Sequence, residues 1–480
     1  MISTVNADEH PLSVMYQQDP FIVLPTELIL QIFNNLPLFH TWTLRRVCRR
    51  WNYVLSSDEC MHAAVEQWDT HDREDSAGLR RLTGRNRFDH RLRHFQNMKA
   101  KNYEWCQIID LANRGDHGGN ILPNSLKTRC KGRRVAYVSE ERGQDSVVVV
   151  HDLVSVEKRL LPARSQMVEN LVLTTLLVAW TTQYDGSMYF SYLDETPDQV
   201  TRVQLPSAEV FRAEGDGEMV VLIERDRWSS PNRFGNILLY DAGARQLQRF
   251  DVHADAGLRD ADNLGHRLNA CSLYLDRQRR FVHLFFLATI PNIQGRQPNR
   301  ALVHARMAFD GTWVKRQYDM TSEDDAEPVC RGYLRLTRPH STGRPDKIQF
   351  RIIDGPFPRG QRYRHRAAVR FNAAQSEIAG IDSCARADEL YGDAGPAFLL
   401  WKGQAYHPGT PKDWTECGSQ MNDSFMITVE TGWRQPSARR RSRIRAYCFD
   451  PDVRMPEDGM VDDGDIASPF VEPREARVIP

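Results

Sequence analysis

The chain has 480 residues, 41% of them apolar and 9% aromatic, and its 63 basic and 63 acidic side chains leave no net charge. That length exceeds what one ordinary core accommodates, so a small domain plus a large one is expected. The balanced charge excludes a global field that would draw the protein to nucleic acid or an anionic membrane.

The nine cysteines stand singly along the chain, with no CxxC pair and no other metal-binding spacing. That is the usage of reduced thiols in the cytosol or nucleus, not of a disulfide framework, and it predicts no metal site. Residues 1–20 are polar and include Asp8, Glu9 and Asp19, which reads as a disordered N-terminus and not a signal peptide.

Residues 21–68 have helical texture. Leu24, Leu28, Ile32 and Phe33 recur at three- to four-residue spacing, and Leu44, Val47, Cys48 and Trp51 repeat the pattern. Pro25 falls where a first helical turn tolerates proline, and Pro37 divides the two apolar sets into separate helices.

Residues 69–132 read as a basic, partly helical connector. Arg80, Arg81, Arg85, Arg87, Arg91, Arg93, Lys99 and Lys101 are interleaved with Leu79, Leu82, Phe88, Leu92 and Phe95. Short amphipathic helices fit that spacing, and a solvated connector is the better reading than a nucleic-acid site.

From residue 133 to residue 450 the texture changes to short β-rich runs, among them Val135–Ser139, Val147–Asp152, Leu171–Thr181, Phe281–Leu287 and Ala397–Lys402. Turn clusters such as Gly215-Asp216-Gly217 and Asp310-Gly311 separate them. A strand ending near an acidic residue is repeatedly followed by a turn and a strand holding a basic one: Asp152 before Arg159, Asp194 before Arg202, Asp241 before Arg249 and Asp310 before Lys315.

Repeat starts near residues 133, 171, 210, 268, 330 and 397 suit four-stranded blades with variable loops. The expectation is an all-β, β-propeller-like domain of about six or seven blades, with a pair of β-sandwiches as the alternative. Residues 451–480 are acidic and interrupted by prolines, which reads as a disordered tail.

Specific chemistry enters at Leu24-Pro25-Thr26-Glu27-Leu28, then Ile32-Phe33 and Leu36-Pro37, and after a gap Leu44-Arg45-Arg46-Val47-Cys48-Arg49-Arg50-Trp51. This two-block order resembles the F-box family, a three-helix module whose pattern is LPxEL, IF, L and then LRxVCRxW. The resemblance implies binding to the Skp adaptor, and through it to cullin and RING subunits of an SCF-type E3 ubiquitin ligase. In that reading the β domain holds an unknown protein substrate.

It also implies that Leu24, Pro25, Leu28, Ile32 and Phe33 lie at or near the adaptor contact. Leu36, Leu44, Val47, Cys48 and Trp51 would divide between that contact and the internal core, with Cys48 as a small buried hydrophobe. His40 and Thr41 stand where many F-boxes carry an acidic residue and a leucine; threonine is the better helix cap of the two. The alternatives are an adaptor-bound scaffold outside any ligase and a β-propeller enzyme.

No GxSxG, HExxH, Walker-type or dinucleotide fingerprint is present, so no catalytic residue and no cofactor is expected. Cys48 and Cys60 stand near His40 and His62, where core packing is a better reading than catalysis. The sharpest cationic feature is Arg439-Arg440-Arg441-Ser442-Arg443 with Arg445. It reads as an exposed loop entering a strand, a patch for an acidic partner or an import signal.

Overall fold

The computed structural model describes residues 24–35, 43–66, 83–100, 103–111, 127–139, 146–164, 167–182, 185–195, 199–206, 209–225, 234–250, 271–290, 299–319, 333–336, 340–341, 348–355, 364–373, 375–383, 414–421, 424–434, 439–451 and 453–454. The expectations for residues 1–20, Leu36, Pro37, His40, Thr41, the run Ala397–Lys402 and the tail from residue 455 lie outside these. The chain divides into two compact units, Met1–Gln96 and Asn97–Pro480.

In the first unit the described helices are α1 (Thr26–Asn35), α2 (Arg49–Leu55), α3 (Asp58–Glu66) and α4 (Gly84–Ala100), the last running through the unit boundary. Pro25 ends the approach to α1, and its carbonyl accepts from the Leu28 and Ile29 amides at 3.1 Å each. Ile29, Leu55 and Cys60 form one small core, flanked by Leu24, Leu44 and Trp51; Met61, Val65, Phe88 and Leu92 form another.

Gly84 starts α4 because the backbone there closes on α3. An added Cβ would stand 2.6 Å from the Asp58 carbonyl oxygen. The Asp58 carboxylate then accepts from the Arg85 amide at 3.1 Å, satisfying one of the free N–H groups of the α4 terminus. The basic stretch thus contributes one continuous helix over residues 84–100, where several short ones were expected.

The second unit is all-β and antiparallel, with six sheets among the described residues. In chain order the first comprises β2 (Thr128–Lys131), β3 (Arg134–Ser139), β4 (Val147–Asp152) and β5 (Lys158–Pro162). The second holds β6 (Val168–Leu173), β7 (Leu177–Thr182), β8 (Ser187–Tyr192) and β9 (Thr201–Gln204). The third holds β10 (Val210–Asp216), β11 (Met219–Arg225), β12 (Phe234–Asp241) and β13 (Gln246–Phe250).

The fourth comprises β14 (Cys271–Asp276), β15 (Phe281–Ile290), β16 (Asn299–Ala308) and β17 (Trp313–Asp319). The fifth has β18 (Tyr333–Leu336), β19 (His340–Ser341), β20 (Ile348–Gly355), β21 (Arg364–Asn372) and β22 (Glu377–Ser383). The sixth is β23 (Trp414–Met421), β24 (Phe425–Arg434) and β25 (Arg439–Cys448), completed by β1 (Trp105–Leu111) beside β25.

Consecutive sheets share apolar cores built from alternate residues of each strand. Leu171 and Trp180 of the second sheet pack with Val148 and Leu161 of the first. Phe190 packs with Leu222 and Leu238 of the third, and Val221 and Ile223 with Leu284 and Met307 of the fourth. Phe425, Ile427 and Ile444 of the sixth sheet pack with Val135 and Val149 of the first.

The turns have a recurring chemistry. Asp152, Asp241, Asp276 and Asn372 end strands and accept, through their side-chain oxygens, from backbone amides two or three residues on, at 2.9 to 3.1 Å. Four residues after each stands a residue in the left-handed region: Val156 (φ 61), Arg245 (φ 55), Arg280 (φ 60) and Ser376 (φ 54). The Asx side chain supplies the acceptor that folds such a turn, which is the physical content of the acidic residue that recurs at strand ends in the sequence.

Two expectations are corrected. The run Leu171–Thr181 is two strands, β6 and β7, because the Thr174 hydroxyl accepts from the Leu176 and Leu177 amides at 3.1 and 2.9 Å and turns the chain. The connector does not extend to residue 132: β1 and β2 lie within that span and belong to the β unit. β1 was hidden because its partner strand is more than three hundred residues away, pairing Trp105 with Cys448.

Candidate functional site

In the first unit the candidate residues separate by exposure. Leu24, Leu44 and Trp51 are half-buried against Ile29, Leu55 and Cys60. Leu28 is 44% exposed and Val47 59% exposed, and Pro25 is exposed as well. Ile32 and Phe33 lie on α1, and only their backbone is described.

Cys48 is a correction. It is exposed, not core, and it caps α2 with extended backbone (φ −156, ψ 171) while its sulfur accepts from the Trp51 amide at 3.5 Å. A cap residue stands outside the first turn and offers its side chain to the free amides there, which is incompatible with facing the core.

Sequence reading missed Tyr53, 83% exposed on α2. Its aromatic ring is left in water within a unit too small to waste apolar surface, but only exposure, not spacing, distinguishes it. Cys60 is buried and burial raises its thiol pKa, whereas His62 on the same helix is exposed. The two do not form a nucleophile pair. An open depression of about 370 Å³ is lined by Asp58, Glu59, His62 and Ala63. No three His, Cys, Asp or Glu residues among those described are placed to share a metal ion.

In the β unit the arginine run is not a loop: β25 begins at Arg439. Arg443 and Arg445 are only 5% and 7% exposed, so the expectation that all five arginines meet an outside partner fails for these two. Arg443 stands in register between two acidic positions, Asp110 on β1 and Glu430 on β24.

Other polar groups are engaged locally. Burial alone would raise the Asp185 carboxyl, but donation from the Thr182 and Tyr189 hydroxyls and the Ser187 amide, with the positive charge of Arg202 nearby, holds it below the usual carboxylate range. Buried Glu224 accepts from Asn236 at 2.7 Å and Arg249 at 3.2 Å. His283 and His304, both buried, stand 3.1 Å apart; both meet the Phe371 ring edge-on, and His304 also stacks on Phe285.

Fold and site together define a class: a small helical module with apolar side chains left in water, joined to a large antiparallel β unit. Residues 21–63 match the profile of the F-box-like family. The chain therefore carries an F-box-like domain at residues 21–63.

No curated protein matches the chain. Among solved structures, an acylaminoacyl peptidase from Pyrococcus horikoshii is similar at 7% identity over 69% of this chain and 44% of that one, with a TM-score of 0.34. The chain thus spans less than half the peptidase's length. An ulvan lyase of polysaccharide lyase family PL25 is similar at 10% identity over 65% of this chain and 78% of that one, TM-score 0.34. A luciferin-regenerating enzyme is similar at 6% identity over 71% and 95%, TM-score 0.35. Likeness at this level carries no argument about what this chain does.

Proposed function

We propose that the protein is the substrate-choosing subunit of an SCF-type ubiquitin ligase: its F-box-like domain docks on the Skp adaptor and its β unit holds a target protein. One observation carries the reading, the F-box-like domain itself at residues 21–63. Leu28 and Val47, apolar and exposed within it, supply surface that a partner would bury. The protein performs no chemistry of its own in this reading. It raises the effective concentration of a target at the ubiquitin-charged enzyme, in the cytoplasm or nucleus, where single cysteines stay reduced.

We take the β unit to be a six-bladed propeller. In support, its sheets follow one another in chain order, and the first strands of successive sheets lie side by side from β2 to β6, β10, β14 and β18, with β2 also beside β23. The sixth sheet is completed by β1 from the other end of the unit, the arrangement by which a ring of sheets is held shut.

The test is co-purification of the full chain with the Skp adaptor. Leu28→Asp, and independently Val47→Asp, place a charge where the contact is to be desolvated, and binding is expected to fall at least ~30-fold, about 2 kcal/mol. The β unit should keep its unfolding midpoint in both variants. Adaptor binding unchanged in both variants removes the assigned contact. Adaptor binding without recruitment of a cullin makes the protein a scaffold outside the ligase.

A further inference from the structure

The structure sorts the arginines of the β24–β25 hairpin into two groups. The inner pair, Arg443 and Arg445, is buried within the sheet. The outer group occupies the last three rungs, where Arg434 is in register with Arg439, Trp433 with Arg440 and Gly432 with Arg441. Arg434 is absent from the cationic run as written in the sequence; the hairpin brings it there. β1 ends with Leu111 opposite Ser442, so its pairing with β25 stops before these rungs. β23 begins with Trp414 opposite Gly432, which puts a second tryptophan on the same rows.

Rungs are about 3.4 Å apart, paired strands about 4.8 Å apart, and successive residues alternate between the two faces, so Arg434, Arg439 and Arg441 fall on one face within about 10 Å of one another and Arg440 falls on the other. Like charges directly opposite on paired strands destabilise a hairpin. The pairing of Arg434 with Arg439 therefore works against the fold unless an anion occupies the patch. Clustered arginines bind carboxylate and phosphate groups bidentately, which a lysine cluster does not.

The patch lies at a particular end of the sheets. In an antiparallel meander the second strand ends and the third begins at the same end as the fourth-to-first connections. In this unit those connections include residues 112–127, 251–270, 320–332 and 384–413, whereas the opposite end is built of tight turns such as those at Asp152 and Asp241. The arginine patch thus sits at the end opposite those tight turns.

We infer that the Arg434–Arg439 end of the β24–β25 hairpin docks an anionic segment of a partner protein, one with clustered carboxylate or phosphate groups. A protein segment fits better than nucleic acid. The chain has no net charge to steer a polyanion, and a three-arginine patch neutralises too few phosphates for the salt-driven binding that nucleic acid requires. The inference takes the β unit to be the target-holding part, as proposed above, but the binding itself needs no adaptor.

The experiment uses the full chain and fluorescence anisotropy with four labelled probes: a glutamate-rich peptide, a multiply phosphorylated serine peptide, an uncharged peptide of equal length, and a single-stranded RNA. One of the two anionic peptides is expected to bind in the micromolar range, roughly 10 μM, and to weaken as salt rises. The glutamate and phosphoserine arms tell the two anion sources apart.

The double variant R439E/R441E should weaken that peptide at least ~10-fold, R439Q/R441Q should weaken it less, and R439K/R441K least of all. Adaptor co-purification should be unchanged in all three, so failure here is distinct from failure of the ligase reading. Absence of anionic-peptide binding below about 1 mM, equal binding by wild type and the glutamine variant, or tighter binding of RNA than of either peptide overturns the inference.

Discussion

Removing β1 should cost the β unit much of its stability, although the strand lies next to the F-box-like unit in sequence and far from the rest of its sheet. Seven register pairs, Trp105 with Cys448 through Leu111 with Ser442, make β1 the outer partner of β25. Trp105, Ile108 and Ile109 are buried. The Trp105 indole N–H donates to the Val453 carbonyl at 2.8 Å, and its ring stands edge-on to Phe425 at 5.7 Å.

Burying a large apolar side chain contributes about 1.5–3 kcal/mol, so these three contribute roughly 5–9 kcal/mol. The ordering entropy regained by removing the strand offsets part of that, and the uncovering of Ile444 and Phe425, which share its core, adds to it. A net loss of at least ~3 kcal/mol is expected, against a total of about 5–15 kcal/mol for a folded domain.

Two truncations make the comparison. A chain starting at residue 103 keeps β1; it should be soluble and unfold cooperatively in urea. A chain starting at residue 112 loses only β1 in addition. Its midpoint should fall by about 1 M, taking ~3 kcal/mol per molar for a unit of this size, or it should aggregate through the exposed edge of β25. Equal midpoints for the two truncations would refute the stabilising role of β1. The same comparison fixes how an F-box deletion must be cut: one that runs past residue 103 disturbs the β unit and confounds any test of target accumulation.

Two further outcomes follow from single residues. Val156 is a β-branched residue in the left-handed region at φ 61, so Val156→Gly should raise stability by about 0.5–1 kcal/mol, read as a higher urea midpoint. Burial, with Lys158 nearby, pushes the His151 imidazole down to about 4 from its usual 6.5. Above the usual value neither state is charged and nothing changes. Below it the unfolded chain takes a proton that the folded one refuses, so stability falls as pH drops, by about 1.4 kcal/mol per unit and no more than about 3 kcal/mol overall. His151→Gln should flatten the urea midpoint against pH in that window. An unchanged slope would mean that the imidazole is charged in the fold.

The sequence made some parts of this structure legible and hid others for physical reasons. Repeat starts expected near 133, 171, 210 and 268 fall within a few residues of β2, β6, β10 and β14. The acidic residue at the end of a strand is a local folding device, visible because its hydrogen bonds close within three residues. β1 was invisible because its reason for being a strand, β25, is supplied by the far end of the chain.

Within the F-box-like unit the two-block pattern identified the family, while the division of its apolar residues between core and water came from tertiary packing. Leu28 and Ile29 are neighbours in sequence, yet one is 44% exposed and the other 5%. Spacing alone assigns both to a helix and neither to a face.

The arginine run shows how a linear motif is rewritten by strand pairing. In the sequence, Arg439 to Arg445 is one basic cluster. In the sheet, Arg443 falls in register with Glu430 and Asp110, while Arg439, Arg440 and Arg441 fall in register with Arg434, Trp433 and Gly432, none of which carries a negative charge. β25 is held in that register by ladders on both sides, with β1 over Trp105–Leu111 and with β24 along its whole length. That fixed register holds Arg434 opposite Arg439 despite their repulsion, so the two ladders are the physical precondition for a preorganised anion site at the hairpin's open end.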